Sequence, residues 1–133
     1  MLTGDKIETA ICIAISTGMK SPEQELHIIK EFESPSDLEN ELAKYSEKCS
    51  NSVLIIDGIS LATALTKKKE YFFNIASNAP AVVCCRCSPT QKAEVTKGVK
   101  EFYQRVVASI GKFFIIYIFW IIFLIFSLCI IIN

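Results

Sequence analysis

Three short runs of apolar, largely β-branched residues punctuate the chain: 52–56 (SVLII), 81–85 (AVVCC) and 106–110 (VVASI). Unbroken apolar runs of this length are how strands buried on both faces of a parallel sheet read. Parallel neighbours cannot be joined by a tight turn. They need crossover connections, usually helical and right-handed. The stretches between the runs carry helical periodicity, so the pattern predicts an α/β chain with a doubly wound parallel sheet. In such sheets ligands gather outside the carboxyl ends of the strands, and the residues that follow each run are where chemistry is expected.

The helical stretches are legible from their apolar faces and stop signals. Residues 5–17 place Ile7, Ile11 and Ile15 on one stripe, closed by Gly18 and Pro22. A short strand is expected over 27–32. Ser36, with Glu39 three residues on, has the form of a capping box, and Leu38, Leu42, Tyr45 and Cys49 make the apolar face of the helix that follows. Another helix is expected over 67–76 with Tyr71, Phe72, Ile75 and Ala76 inward. A last one runs from Pro89 to about Tyr103 with Val95, Val99 and Phe102 on one face.

With 51% hydrophobic and 21% charged residues the chain is not a disordered one, and 133 residues predict a single small domain. Lys+Arg and Asp+Glu stand at 14 each, so no overall field recruits nucleic acid. The balance hides an asymmetry: residues 1–50 carry a net charge of about −5 and the rest about +5. Residues 1–6, polar from the third on, do not read as a signal peptide. Residues 113–132 form an uncharged run of about 20 residues, long enough to cross the roughly 30 Å hydrocarbon core of a bilayer.

Three places just after strands stand out: Thr3-Gly4-Asp5, Asp57-Gly58, and Arg86 through Lys92. Thr3-Gly4-Asp5 stands where a strand stub (Met1-Leu2) hands over to a helix. A Thr hydroxyl with free N–H groups at a helix start can cradle phosphate, Gly4 permits close approach, and Asp5 can accept from a ribose hydroxyl or order a Mg²⁺-bound water; a plain capped turn is the alternative. Arg86 follows the AVVCC run, and its planar fork suits a phosphate or a ribose. Lys92 lies near the start of the next helix, where its charge opposes the helix dipole by about 0.3–1 kcal/mol unless an anion meets it. Both also read as solvated surface cations. Asp57-Gly58 reads as a turn, Lys67-Lys68-Lys69 as a solvated helix start, and His27, the single histidine, as a packed or exposed residue.

The six cysteines are Cys12, Cys49, Cys84, Cys85, Cys87 and Cys129. Cys84 and Cys87 have CxxC spacing, which alone admits a thioredoxin-like pair. Cys84 and Cys85, as strand neighbours, point to opposite faces and do not share an ion easily. Zinc would want a second pair or histidines. The run reads first as buried core thiols. There is no Walker P-loop, nucleophilic triad or dinucleotide fingerprint.

Taken together, MLTGDKIETA, IIDGISL and AVVCCRCSPTQKAEV resemble the phosphorylation domain of P-type ATPases, within the phospholipid-transporting (flippase) branch, over about residues 1–111. The resemblance implies a haloacid-dehalogenase-like fold with active-site motifs at strand ends. Thr3, Gly4 and Asp5 match the motif that contacts the nucleotide and its phosphate. Arg86 matches the arginine that reaches the nucleotide. Lys92 matches the catalytic lysine that neutralises the transferring phosphoryl group. It further implies ATP and Mg²⁺ as cofactors, phospholipid as the parent pump's cargo, and a membrane location with residues 1–111 cytosolic. The CxxC spacing becomes incidental to a buried strand. The family's DKTGT nucleophile segment and its Mg²⁺-binding GDGxND segment do not occur in the 133 residues. The chain alone is therefore expected to be inactive, a fragment from a truncated gene model or a read-through, with residues 112–133 an aberrant tail or a transmembrane helix. The alternative is a non-catalytic tail-anchored membrane protein whose cytosolic α/β domain binds a partner. Lys97, Lys100, Arg105 and Lys112 ahead of the apolar run favour a cytosolic N-terminus on that reading.

Overall fold

The computed structural model describes residues 1–103. The elements run α1 (Ile7–Ser16), β1 (Glu25–Ile29), α2 (Pro35–Lys48), a 3₁₀ turn (Cys49–Asn51), β2 (Ser52–Asp57), α3 (Gly58–Lys67), α4 (Lys69–Asn78), β3 (Val82–Cys85) and α5 (Pro89–Tyr103). The three strands form a parallel sheet in the order β1-β2-β3. Leu2 adds a single parallel bridge to Cys84 on the outer side of β3. Thr3 N–H donates to the Cys84 carbonyl at 2.9 Å and Cys84 N–H to the Met1 carbonyl at 2.8 Å. The expected strand at 106–110 and the apolar run at 113–132 lie outside the described residues.

The sheet is covered on both sides, and its alternating residues sort by face. Val53, Ile55, Val83 and Cys85 meet Ile7, Ala10 and Ala14 of α1. Ile29, Leu54, Ile56 and Cys84 meet Leu38, Leu42 and Tyr45 of α2, Leu61, Ala64 and Leu65 of α3, Phe72, Phe73 and Ile75 of α4 and Val95 of α5. All six residues of β2 are buried, as a central parallel strand requires. Each large side chain so buried contributes about 1.5–3 kcal/mol of transfer free energy. The Tyr45 hydroxyl donates to the Ser52 carbonyl at 2.8 Å, giving its buried polar end a partner.

Several local expectations shift. The buried stripe of α1 is Ile7, Ala10 and Ala14, whereas Ile15 is 53% exposed. Two alanines let the helix lie close to the sheet, which turns the isoleucine away. The helix does end at Gly18, whose φ of +73° suits a left-handed cap. β1 spans Glu25–Ile29 in place of 27–32. The cap of α2 is Ser34, with Pro35 as its first residue, and the Ser36–Glu39 capping box does not form. Pro at the first helical position has no N–H to satisfy, so the helix starts there, and Glu39 pairs with Lys68 at 2.6 Å instead. Residues 58–67 form a helix where the sequence suggested only a turn. The expected 67–76 helix is Lys69–Asn78, with Phe73 buried alongside Phe72 and Ile75. α5 follows its expected range, with Val95 buried and Phe102 44% exposed.

Candidate functional site

The carboxyl ends of β3 and of the Leu2 stub lie side by side, and the helices that follow them leave toward opposite faces. From the stub the chain enters α1 on the Val83–Cys85 face. From β3 it enters α5, whose Val95 packs on the other face. Adjacent parallel strands whose helices part in this way leave a crevice at their carboxyl ends, the usual ligand position in open α/β sheets.

Backbone bonds knit that rim. Cys87 N–H donates to the Thr3 carbonyl and Arg86 N–H to the Asp5 carbonyl, each at 2.9 Å. Arg86 adopts φ +51°, which turns the chain sharply out of β3. Thr3, Gly4, Asp5 and Arg86, 81 or more positions apart along the chain, thus form one ledge. Asp5 N–H donates to the Thr3 hydroxyl at 3.1 Å, and that hydroxyl donates back to the Asp5 carboxylate. Neither side chain caps α1. Its N-cap is Lys6, with no side-chain bond to the first N–H groups. A Cβ placed on Gly4 would meet only the Cys87 carbonyl oxygen, at an ordinary 3.8 Å. Among the described residues nothing closer requires glycine there.

Lys92 occupies the first turn of α5, its N–H bonded to the Ser88 carbonyl at 3.0 Å. That turn is fixed by a reciprocal cap the sequence reading missed. Gln91 N–H donates to the Ser88 hydroxyl at 3.2 Å while Ser88 N–H donates to Gln91 Oε1 at 2.9 Å. The S-x-x-Q spacing is its signal. Among the described residues neither Arg86 nor Lys92 forms an ion pair.

Asp57, read from the sequence as a turn residue, is buried to 1% exposure at the end of β2. Its Oδ1 accepts from Ser60 N–H at 2.9 Å, capping α3, and its Oδ2 accepts from Glu31 N–H at 3.2 Å. Glu31 holds φ +64° there, and Phe32 N–H donates to the Ser60 hydroxyl at 3.0 Å. Asp57 therefore ties the loop after β1 to the start of α3. Gly58 in turn lies against the Arg86 turn, because a Cβ there would stand 2.5 Å from the Arg86 carbonyl oxygen. Gln91 Nε2 donates to the Gly58 carbonyl at 2.6 Å.

The two faces of the sheet separate Cys84 from Cys85, as strand alternation requires. Burial and the Asp57 carboxylate push the Cys85 thiol up to about 11. The turn at Arg86 brings Cys87 back into the same core cluster as Cys84, and the Cys87 thiol donates to the Cys85 carbonyl at 3.6 Å. His27 sits away from the rim, with Nε2 3.2 Å from Glu41 Oε1 and its ring 5.2 Å from that of Tyr45. Among the described residues no three His, Cys, Asp or Glu side chains cluster. No helix among them is long and apolar enough to cross a membrane.

No protein-family model matches the chain. Curated proteins do. The human probable phospholipid-transporting ATPase IIB is 41% identical over 111 residues, covering 84% of this chain and 10% of its own length. Phospholipid-transporting ATPase neo1 of Schizosaccharomyces pombe is 43% identical over 111 residues, 84% of this chain and 11% of its own. Phospholipid-transporting ATPase tat-1 of Caenorhabditis elegans is 42% identical over 118 residues, with the same 84% and 10%. The chain spans about a tenth of the length of these relatives. At that identity over most of its residues, the chain belongs to the phospholipid-transporting P-type ATPases as a segment of that family.

Proposed function

We propose that residues 1–111 are part of a haloacid-dehalogenase-like phosphorylation domain whose rim holds the phosphates of ATP. The carrying observation is the backbone hydrogen bonding that joins Thr3 and Asp5 to Cys87 and Arg86, just ahead of the first turn of α5 where Lys92 stands. In this reading the Arg86 fork donates to two phosphate or ribose oxygens, and the uncapped N–H groups at the start of α1 donate to a third. Lys92 is the catalytic cation. Its ammonium neutralises charge that spreads over the phosphoryl oxygens during transfer, and an electrostatic contact of that kind is worth most in the transition state. The Thr3 hydroxyl reaches a phosphate by turning away from Asp5, which leaves the Asp5 carboxylate for a ribose hydroxyl.

In the parent pump this site would serve ATP-driven phospholipid translocation in a membrane, with residues 1–111 on the cytosolic side and residues 112–133 an apolar segment. The parent enzyme would use Mg²⁺, for which this chain has no GDGxND segment. Without a DKTGT aspartate it also forms no aspartyl phosphate, so it is proposed to bind nucleotide and not to hydrolyse it. Equilibrium dialysis of radiolabelled ATP against the chain tests this. Arg86→Ala and Lys92→Ala should each weaken binding by about 10- to 150-fold, the worth of a charge-assisted hydrogen bond of about 1.5–3 kcal/mol. Unchanged affinity in both variants would refute the site, and acid-stable, hydroxylamine-labile phosphate on the wild-type chain would refute the inactivity.

A further inference from the structure

Asp57 is a buried carboxylate that the phosphate-binding reading does not use. It stands 1% exposed at the carboxyl end of β2, opposite Cys85 in the register and so next to the Arg86 turn. A carboxylate withdrawn from water needs compensating bonds. Among the described residues no cation pairs with it. Its compensation is one backbone N–H on each oxygen, from Ser60 at 2.9 Å and from Glu31 at 3.2 Å. So enclosed, it does not meet a ligand itself and acts only through its neighbours.

Those neighbours lead to the rim. Asp57 holds the first turn of α3 through Ser60, whose hydroxyl accepts from Phe32 N–H at 3.0 Å. Gly58, the next residue, lies against Arg86 and Gln91: a Cβ there would stand 2.5 Å from the Arg86 carbonyl oxygen and 3.4 Å from Gln91 Oε1. The Gly58 carbonyl accepts from Gln91 Nε2 at 2.6 Å, and Gln91 Oε1 accepts from Ser88 N–H at 2.9 Å. An unbroken run of contacts thus joins the carboxylate to the backbone of Arg86 and to the residue before Lys92. Close-packed groups transmit a displacement, because little void is left to absorb it.

We infer that Asp57 is a positioning residue for the phosphate-binding rim, holding Gly58 where it sets the Arg86 turn and the first turn of α5. The inference rests on the phosphate-binding reading of that rim. Two other roles predict different behaviour. Acting by its charge, the carboxylate would repel ATP, and neutralising it would tighten binding. Acting on stability alone, it would leave the ATP affinity of the folded chain unchanged whatever replaced it.

Asp57→Asn separates the three. Asparagine removes the charge, keeps the shape and equals aspartate as an N-cap. With its oxygen on Ser60 N–H, its Nδ2 faces a second donor, Glu31 N–H. The start of α3 stays held while the loop after β1 is released; Asp57→Ala releases both. Radiolabelled ATP is dialysed against the full chain at a temperature where circular dichroism shows each variant folded. Asp57→Ala should bind at least about threefold more weakly than wild type. Asp57→Asn should recover most of that loss in spite of a lower urea midpoint. A smaller loss in Asp57→Ala would overturn the proposal. So would Asp57→Asn binding nearer to that of Asp57→Ala than to wild type, or more than about twofold tighter than wild type. Should Asp57→Ala fail to fold, Gly58→Ala decides, because its Cβ displaces the Arg86 carbonyl with Asp57 intact. Its affinity should fall at least about threefold, and a smaller change would overturn the proposal. Arg86→Ala and Lys92→Ala are measured alongside. Weakened binding in them without a loss in Asp57→Ala refutes only the role of Asp57, whereas unchanged binding in both refutes the phosphate site as well.

Discussion

Gly58 gives the most quantitative test of how the rim is assembled. Replacing it by alanine places a Cβ 2.5 Å from the Arg86 carbonyl oxygen, 3.3 Å from the carbonyl carbon and 3.4 Å from Gln91 Oε1. The nearest atom is backbone, so relief requires either the Arg86 turn or the start of α3 to move. Both are tied, the first to Asp5 and the second to Asp57 and Gln91. Overpacking of this kind costs about 1–3 kcal/mol. Against it stands the stabilisation alanine brings by restricting the unfolded chain, about 0.4–1 kcal/mol. Taking the middle of each range, the net loss is about 1.3 kcal/mol, or roughly 5–10 °C in melting temperature for a domain of this size. Gly4→Ala is the internal control, since its Cβ meets nothing closer than 3.8 Å, and its stability should stay within about 0.5 kcal/mol of wild type. Urea denaturation followed by far-UV circular dichroism measures both. A Gly58→Ala chain as stable as wild type would refute the contact between α3 and the Arg86 turn.

Asp57→Ala leaves the N–H groups of Ser60 and Glu31 without their carboxylate, and should cost about 2–3 kcal/mol in the same urea assay. Gln91→Ala loses the bonds to Ser88 and Gly58 and should cost about 1–2 kcal/mol, lowering ATP affinity through a displaced Lys92. Burial, then the nearby Cys49, pushes the Tyr45 hydroxyl up to about 12. An acid whose folded value is raised favours the folded state below its unfolded value near 10, and that contribution is lost as pH rises through about 12. Denaturation midpoints should therefore fall across that window, and Tyr45→Phe should flatten this part of the decline.

The parallel sheet was legible because SVLII and AVVCC offer no polar face, and α5 because Pro89 and the Val95 spacing mark it. What escaped was set by tertiary contact. α3 follows β2 with no break other than Asp57-Gly58, and Ile59 lies exposed beside a buried Ser60 and Leu61, so its pattern resembles a strand running on into a turn. Ser34 and Ser36 are equivalent as isolated caps. Pro35 decides between them, while Glu39 is drawn off by Lys68. The residues of the candidate site are visible as chemistry, and Asp57-Gly58 stands out by its place after a strand, but the sequence reads it as a turn and does not show what its carboxylate holds. Its role depends on the loop after β1 and the start of α3 arriving at the same carboxylate, which no local spacing encodes.

The central claim is that segments at opposite ends of the described chain share one phosphate-binding rim. Backbone amide chemical shifts, followed by NMR while ATP is titrated into the chain, test it most directly. Concerted shifts are expected at Thr3–Lys6 and Arg86–Lys92, with His27 and Glu41 unmoved. Shifts confined to one of those two segments, or centred on β1 and α2, would contradict it.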